Sequence, residues 1–536
     1  MTPDMTSPDW GPEILPTRAR YAPGEDVAIE CRNLCEPIRL SAYRLGELIR
    51  QGEVGQTRFD ALPPGGYGIE AHDDSGRLVA RTAVEVGGDS MRYGFVTSFG
   101  PETDIAARTD LARRLHLTDI QFYDWAYRHA NLVGGGRTYA DPLGQPVSLA
   151  TVTALCDAFR EAGSRSLGYS AVYGVGAEER AEWSDLELLA SDGTAYDLGQ
   201  FLWLIDPAHP RWLAHYGDDL ERALEVGFDG FHLDQYGWPK AAVRRDGTYV
   251  DVAESFATTL TELRRRLPDA RLVFNQVNDF PTWRTSSSPQ DALYIEVWPP
   301  HETLGDLAGL AIRTRTTSAG RPVVVSAYQS VYGSAASQPA DLAVRFTMAT
   351  LFSHGATHLL CGEADRVLID PYYVRSHPMA STTAAILRRW YDFLVEHSEL
   401  LMADGLTDVT GSTASPYNDD IDVTYADAKT SWEPVPGRVW RRVVRTEAGD
   451  HLVHLVNLTD QTDTLWDAPR EPVTELAGTL RLRIWGPDIP RVQVADPDGQ
   501  GRLIDCPVIV DGVHATADLP PLAVWQLVRI THPVEA

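Results

Sequence analysis

Apolar and polar positions take three successive textures along the chain. From about residue 12 to 88, short alternating runs such as Asp26–Glu30 and Arg77–Arg81 are separated by turn clusters at Pro23-Gly24, Pro63–Gly66 and Asp73–Gly76. No helix-period segment of any length interrupts them, and strands at this spacing predict a small β-sandwich. From about 91 to 401, eight apolar runs alternate with helical patterns. The runs are Tyr93–Phe99, Asp119–Trp125, Ser166–Tyr173, Asp229–Tyr236, Arg271–Val277, Ala292–Trp298, Arg321–Tyr328 and Thr357–Glu363. The clearest helix is Glu254–Leu267, where Phe256, Leu260, Leu263 and Leu267 fall on one face. Leu342–Gly355 and Met379–Leu401 read alike, and Gly355 is placed to close its helix. After about Ala403 the β texture returns at Gly437–Thr446, His451–Thr459, Thr479–Trp485, Arg491–Ala495 and Leu522–Ile530, with a loop around Asp460–Pro472.

Eight strand–helix units over that central length predict a (β/α)8 TIM barrel. A doubly wound sheet is the alternative, but no Gly-x-Gly-x-x-Gly follows the first strand. The expected fold is therefore multidomain α/β. An N-terminal immunoglobulin-like β-sandwich (1–88) and a C-terminal antiparallel β-sandwich (403–536) flank a catalytic barrel (89–402). The 536 residues suit such a division.

Composition adds exclusions. A formal charge of −28 is unfavourable for a nucleic-acid or anionic-membrane partner and compatible with a neutral ligand such as a carbohydrate. No run of eighteen apolar residues predicts a membrane span. Met1 to Pro12 is polar and Pro-rich, unlike a secretory leader, so a cytoplasmic monomer is expected; a secreted chain trimmed of its leader would read the same. Cys31, Cys35, Cys156, Cys361 and Cys506 are odd in number and mostly scattered, which fits reduced thiols.

Functional side chains of (β/α)8 barrels project from the C-terminal ends of the strands. Polar residues crowd those positions here: Tyr123-Asp124-Trp125 on strand 2, Asp234-Gln235 on strand 4, Asn275-Gln276 on strand 5, Glu296-Val-Trp298 on strand 6 and Glu363 on strand 8. A lone strand-end acid is as readily a cap or a salt-bridge partner. A pair on strands 4 and 6 is different, because two carboxylates facing each other across a sugar-sized cleft are what glycosidic cleavage requires. Asp234 and Glu296 are therefore the expected catalytic residues. Asp229, at the N-terminal end of its strand, is expected to be structural. Tyr123, Asp124, Trp125, Tyr127, Gln235, Asn275, Gln276, Trp298 and Glu363 are the expected substrate contacts, aromatics among them because flat rings stack on sugar faces. Tyr173, Trp203 and Trp238 fall in similar places, although core packing competes for every such ring. His129, His301 and Glu302 lack metal-ligand spacing, and no Gly-x-Ser-x-Gly elbow is present. No cofactor or metal is needed.

The segments Asp119–His129, Tyr139–Gly144, Gly227–Gln235, Tyr294–Trp298 and Thr357–Glu363, with Asp370–Val374 following, resemble glycoside hydrolase family 66 in that order. That family contains dextranases and cycloisomaltooligosaccharide glucanotransferases. The resemblance implies a retaining mechanism on α-1,6-glucan or isomaltooligosaccharide, with Asp234 in the nucleophile's position and Glu296 in that of the general acid/base. Retention sets an expected carboxyl separation of about 5–5.5 Å. The cyclising members carry a carbohydrate-binding module within the barrel, and no stretch here is long enough to hold one. An endo-acting, dextranase-type hydrolase is thus the leading expectation. A transglycosylase making linear or cyclic isomaltooligosaccharides and a non-catalytic glycan-binding barrel are the alternatives.

Overall fold

The computed structural model describes residues 8–35, 37–413, 418, 420–484 and 488–531. Trp485, the expected end of one C-terminal strand, lies outside them. At the centre, eight parallel strands follow one another in chain order: β1 (Tyr93–Val96), β2 (Asp119–Phe122), β3 (Arg165–Ala171), β4 (Gly230–Asp234), β5 (Arg271–Asn275), β6 (Ala292–Glu296), β7 (Val323–Ser326) and β8 (Thr357–His358). Their runs are apolar almost throughout because barrel strands are covered on both faces. The barrel is nearly closed. Thr357 Oγ1 donates to Met91 O at 2.6 Å across the seam. Beyond β8, Gly362 runs so close to β1 that a Cβ there would lie 2.1 Å from Phe95 O, and its φ of 157° is one that glycine tolerates.

Seven helices surround the strands: α1 (Ile105–Arg114), α2 (Leu149–Glu161), α3 (Pro210–Leu224), α4 (Val252–Arg266), α5 (Leu304–Thr317), α6 (Ser337–Ser353) and α7 (Ser381–Glu396). Sequence chemistry sets their ends. Asp251 caps α4 by accepting from Ala253 N, and Arg264, Arg265 and Arg266 occupy its last turn, where cations suit the helix dipole. Thr303 and Asp306 form a reciprocal capping box on α5. Gly355 follows α6 with a φ of 73°, the expected closing position. The connection after β5 holds only a four-residue helix, Thr282–Thr285. The strands also stop two to five residues short of the apolar runs. The remaining residues leave the ladder and become the loops of the C-terminal face.

Antiparallel sheets fill the rest of the chain. Before the barrel, two sheets enclose a core containing Ile14, Leu40, Tyr67, Ile69 and Val84. Strands Gly65–Asp73 and Leu78–Val86 pack on α7, where Asp392 accepts from Ala83 N at 3.0 Å and stands 2.8 Å from His116 Nε2. After the barrel, two further sheets enclose Val423, Val439, Leu480 and Val528. The N- and C-terminal sheets also meet each other, through Arg491–Glu47 at 2.6 Å and Arg502–Glu70 at 3.3 Å. The expected loop at Asp460–Pro472 contains no strand and grips the barrel's C-terminal face. Thr464 O accepts from Leu304 N, Trp466 Nε1 donates to His301 O at 2.8 Å, and Asp467 accepts from Val331 N at 2.9 Å. Among the described residues, no helix is long and apolar enough to cross a membrane.

Candidate active site

Side chains alternate along a strand, so residues two apart share a face. In β4 this aims His232 and Asp234 into the barrel; in β6 it aims Tyr294 and Glu296 inward. Both carboxyls line a pocket of about 300 Å³ at the C-terminal ends of the strands. Asn275, the last residue of the intervening β5, joins them. Its Nδ2 donates to Asp234 Oδ1 and to Glu296 Oε2, each at 2.7 Å. One nitrogen shared in this way holds those oxygens no more than about 5.4 Å apart, and this separation governs the stereochemistry of glycosidic cleavage. Each carboxylate has a tyrosine of its own: Tyr169 donates to Asp234 Oδ2 at 2.7 Å and Tyr328 to Glu296 Oε1 at 2.6 Å.

Burial raises both acids. Asp234 is pushed up to about 7, first by desolvation and then by the charge of Glu296, against the lowering effect of its Asn275 and Tyr169 hydrogen bonds. Glu296 is raised by desolvation, against hydrogen bonds from Tyr328, Asn275 and the Trp298 side chain. Two acids so close cannot both ionise readily, and the pair holds one proton near neutrality. Asp124 also faces the pocket, with a left-handed φ of 50°. Burial, then Asp141 and Asp234, push it up to about 8, so it presents an O–H donor at neutral pH.

The other expected contacts divide. Tyr123 and Trp298 line the pocket. Gln235 borders it, but its amide is committed to tying loops together: Nε2 donates to Asn275 O and Phe280 O, and Oε1 accepts from Gly237 N. Trp125, Tyr127, Gln276 and Glu363, also expected as contacts, do not line this pocket. Trp125 is fully buried against Phe228, with its indole donating to Tyr169 O. Tyr127 packs edge-on to Tyr139 beneath Arg128. Gln276 follows inward-facing Asn275 and is buried on the opposite face. Glu363 is an internal brace, ion-paired to Arg108 and accepting from Thr97 N at 2.6 Å. Asp229 is structural as expected, accepting from Ser166 N at 2.9 Å.

The sequence profile of glycosyl hydrolase family 66 matches residues 16–529. The chain belongs to that family. Two cycloisomaltooligosaccharide glucanotransferases of Niallia circulans are similar to it, at 25% identity over 59% of this chain and 23% over 62%. The matches span only 38% and 39% of those relatives' own length. A crystal structure of a cycloisomaltooligosaccharide glucanotransferase from Paenibacillus sp., complexed with cycloisomaltoheptaose, superposes with a TM-score of 0.84. It covers 98% of this chain and 100% of that one at 20% identity, a likeness of fold.

In this family 66 chain, sequence reading missed Tyr169, His232, Tyr236, Tyr328 and Tyr373 of the pocket wall. Counting back two residues from Asp234 would have found His232, and Tyr328 ends its own apolar run, whereas Tyr169 follows only from the observed end of its strand at Ala171. His129, set aside as a metal ligand, also lines the pocket. Burial lowers it to about 4, so it is neutral. Among the described residues, no group of three or more His, Cys, Asp or Glu side chains is placed to hold a metal ion.

Proposed function

We propose that this chain cleaves α-1,6-linked glucose chains with retention, through a covalent glycosyl-Asp234 intermediate. The observation that carries this reading is the Asn275 bridge. Two carboxylate oxygens bridged at no more than about 5.4 Å suit the ~5–5.5 Å of retaining enzymes better than the ~6.5–9.5 Å at which inverting enzymes admit a water. Asp234 attacks the anomeric carbon as the bond to the glycosidic oxygen breaks, and Glu296 gives its proton to that oxygen. Glu296, now the base, takes a proton from the incoming hydroxyl, whose oxygen forms the new bond to the anomeric carbon and frees Asp234. Water as the acceptor gives endo-hydrolysis of dextran; a sugar hydroxyl gives transfer. The names of the similar glucanotransferases favour transfer as a second outcome at the same site.

The test is incubation of the purified chain with dextran and an isomaltooligosaccharide ladder, with chromatographic resolution of the products. Shortened chains are expected, joined by elongated or cyclic ones at high substrate concentration. No product from any α-1,6 substrate would defeat the reading in favour of a binding role or another glycan. A pH series adds a second check. The pair works with one proton, so kcat/KM should fall above about 7 as that proton is lost, and at low pH as a second is added to the nucleophile. A profile still rising at pH 9 would contradict the one-proton site.

A further inference from the structure

The segment after β5 crosses the rim with two consecutive non-glycine residues in the left-handed region, Asn278 at φ 55° and Asp279 at φ 68°. Such backbone is unfavourable unless surrounding contacts hold it, and it gathers at functional sites. Here the contacts run to the neighbouring loop that carries the acid. Asn278 spends its whole side chain on that loop: Oδ1 accepts from Trp298 N at 3.0 Å and Nδ2 donates to Pro299 O at 2.9 Å. Asp279 pairs with Arg313 of α5 at 3.2 Å, which ties the turn to the helix that follows the same loop. On the other side, Val277 packs against Gly237 of the nucleophile's loop, where a Cβ would come within 3.0 Å of Val277 Cγ1.

The clamp therefore fixes Trp298. That ring lines the pocket, leaves 37% of its surface exposed and meets Tyr328 edge-on with centroids 5.9 Å apart. It stands on the Glu296 side of the catalytic pair. Glu296 protonates the departing oxygen, so the leaving and incoming sugars occupy this side and the covalently held sugar lies over Asp234. A flat, half-exposed indole there offers a stacking face to a saccharide and nothing specific to water.

We infer that Trp298 is the acceptor platform of the site and that Asn278 is a positioning residue, which sets through Trp298 how often a sugar hydroxyl rather than water resolves the intermediate. The inference rests on the retaining reading above. Isomaltotriose as donor and methyl α-glucoside as added acceptor test it, with transfer and hydrolysis products counted separately. In the native chain the transfer product should rise with acceptor and saturate. In Trp298→Ala the transfer-to-hydrolysis ratio should fall about tenfold, the order of one lost ring contact. Asn278→Gly should lower it similarly, because glycine accepts the left-handed backbone yet cannot clamp. The double variant should be no worse than Trp298→Ala alone, since Asn278 acts through that ring. Asn278→Asp keeps the acceptor for Trp298 N and should fall between. A ratio unmoved in the single variants, equal loss of both products in Asn278→Gly, or losses that add in the double variant would each overturn the inference while leaving the retaining reading intact. A native chain inert on every α-1,6 substrate removes both.

Discussion

Asp234→Asn lowers turnover of dextran and isomaltooligosaccharides by on the order of 10⁴-fold or more, because it removes the only oxygen nucleophile proposed at the anomeric carbon. The substitution is mild in every other respect. An Asn side chain retains a carbonyl oxygen for the donor hydrogen bond from Asn275, and its amide can donate to the Tyr169 hydroxyl in place of accepting from it. The fold should therefore hold, with a thermal midpoint within a few degrees of native. Turnover assays beside a thermal melt make the check. Near-native activity would remove Asp234 as nucleophile, whereas lost activity with a collapsed melt would charge the loss to folding.

Glu296→Gln separates substrates by leaving group. Isomaltooligosaccharides depart as alkoxides unless protonated, so their cleavage should drop by about 10³-fold, within the range of general acid catalysis. An activated aryl α-glucoside needs little protonation to form the covalent intermediate, so its first step should be far less affected. The variant also removes the group whose proton loss sets the alkaline limb. The fall of kcat/KM above about 7 should accordingly disappear on the activated substrate while the acid limb stays in place, since glutamine carries the same zero charge beside Asp234 as protonated Glu296. Equal losses on both substrate types, or an alkaline limb that persists, would argue against Glu296 as the acid beside that nucleophile.

The barrel was legible because its strands are continuous apolar runs between turn signals, and all eight lie where the pattern put them. The facing pair of carboxylates was legible because one carboxylate ended each of two such runs. What the pattern could not carry was direction. In strand 2 the alternation runs inward at Gln121 and Tyr123, and Asp124 then turns left-handed at φ 50°. That turn sends Trp125 into the helix layer rather than the pocket, and nothing in the residue types announced it. Glu363 looked like a site residue for the same reason that Asp234 did. It differs because Arg108, far away in sequence, neutralises it. The site's tyrosines were hidden by their own apolar character: within a strand, Tyr169 reads as core until its hydroxyl is found on Asp234. Asn275 was expected to touch substrate, and its more telling role as the bridge depends on three strands lying side by side.

The grip of residues 460–472 on the loops after β6 and β7 bears on how such chains can be recombined. The segment that carries Glu296 and Trp298 is hemmed by a stretch encoded more than 160 residues later, through Trp466 and His301 among others. Exchanging central barrels between relatives while keeping the host's tail would seat the incoming loops against an unmatched neighbour. The module to exchange is therefore the barrel together with the segments that come after it, because a crossover at residue 403 would part the loops after β6 and β7 from the stretch that braces them.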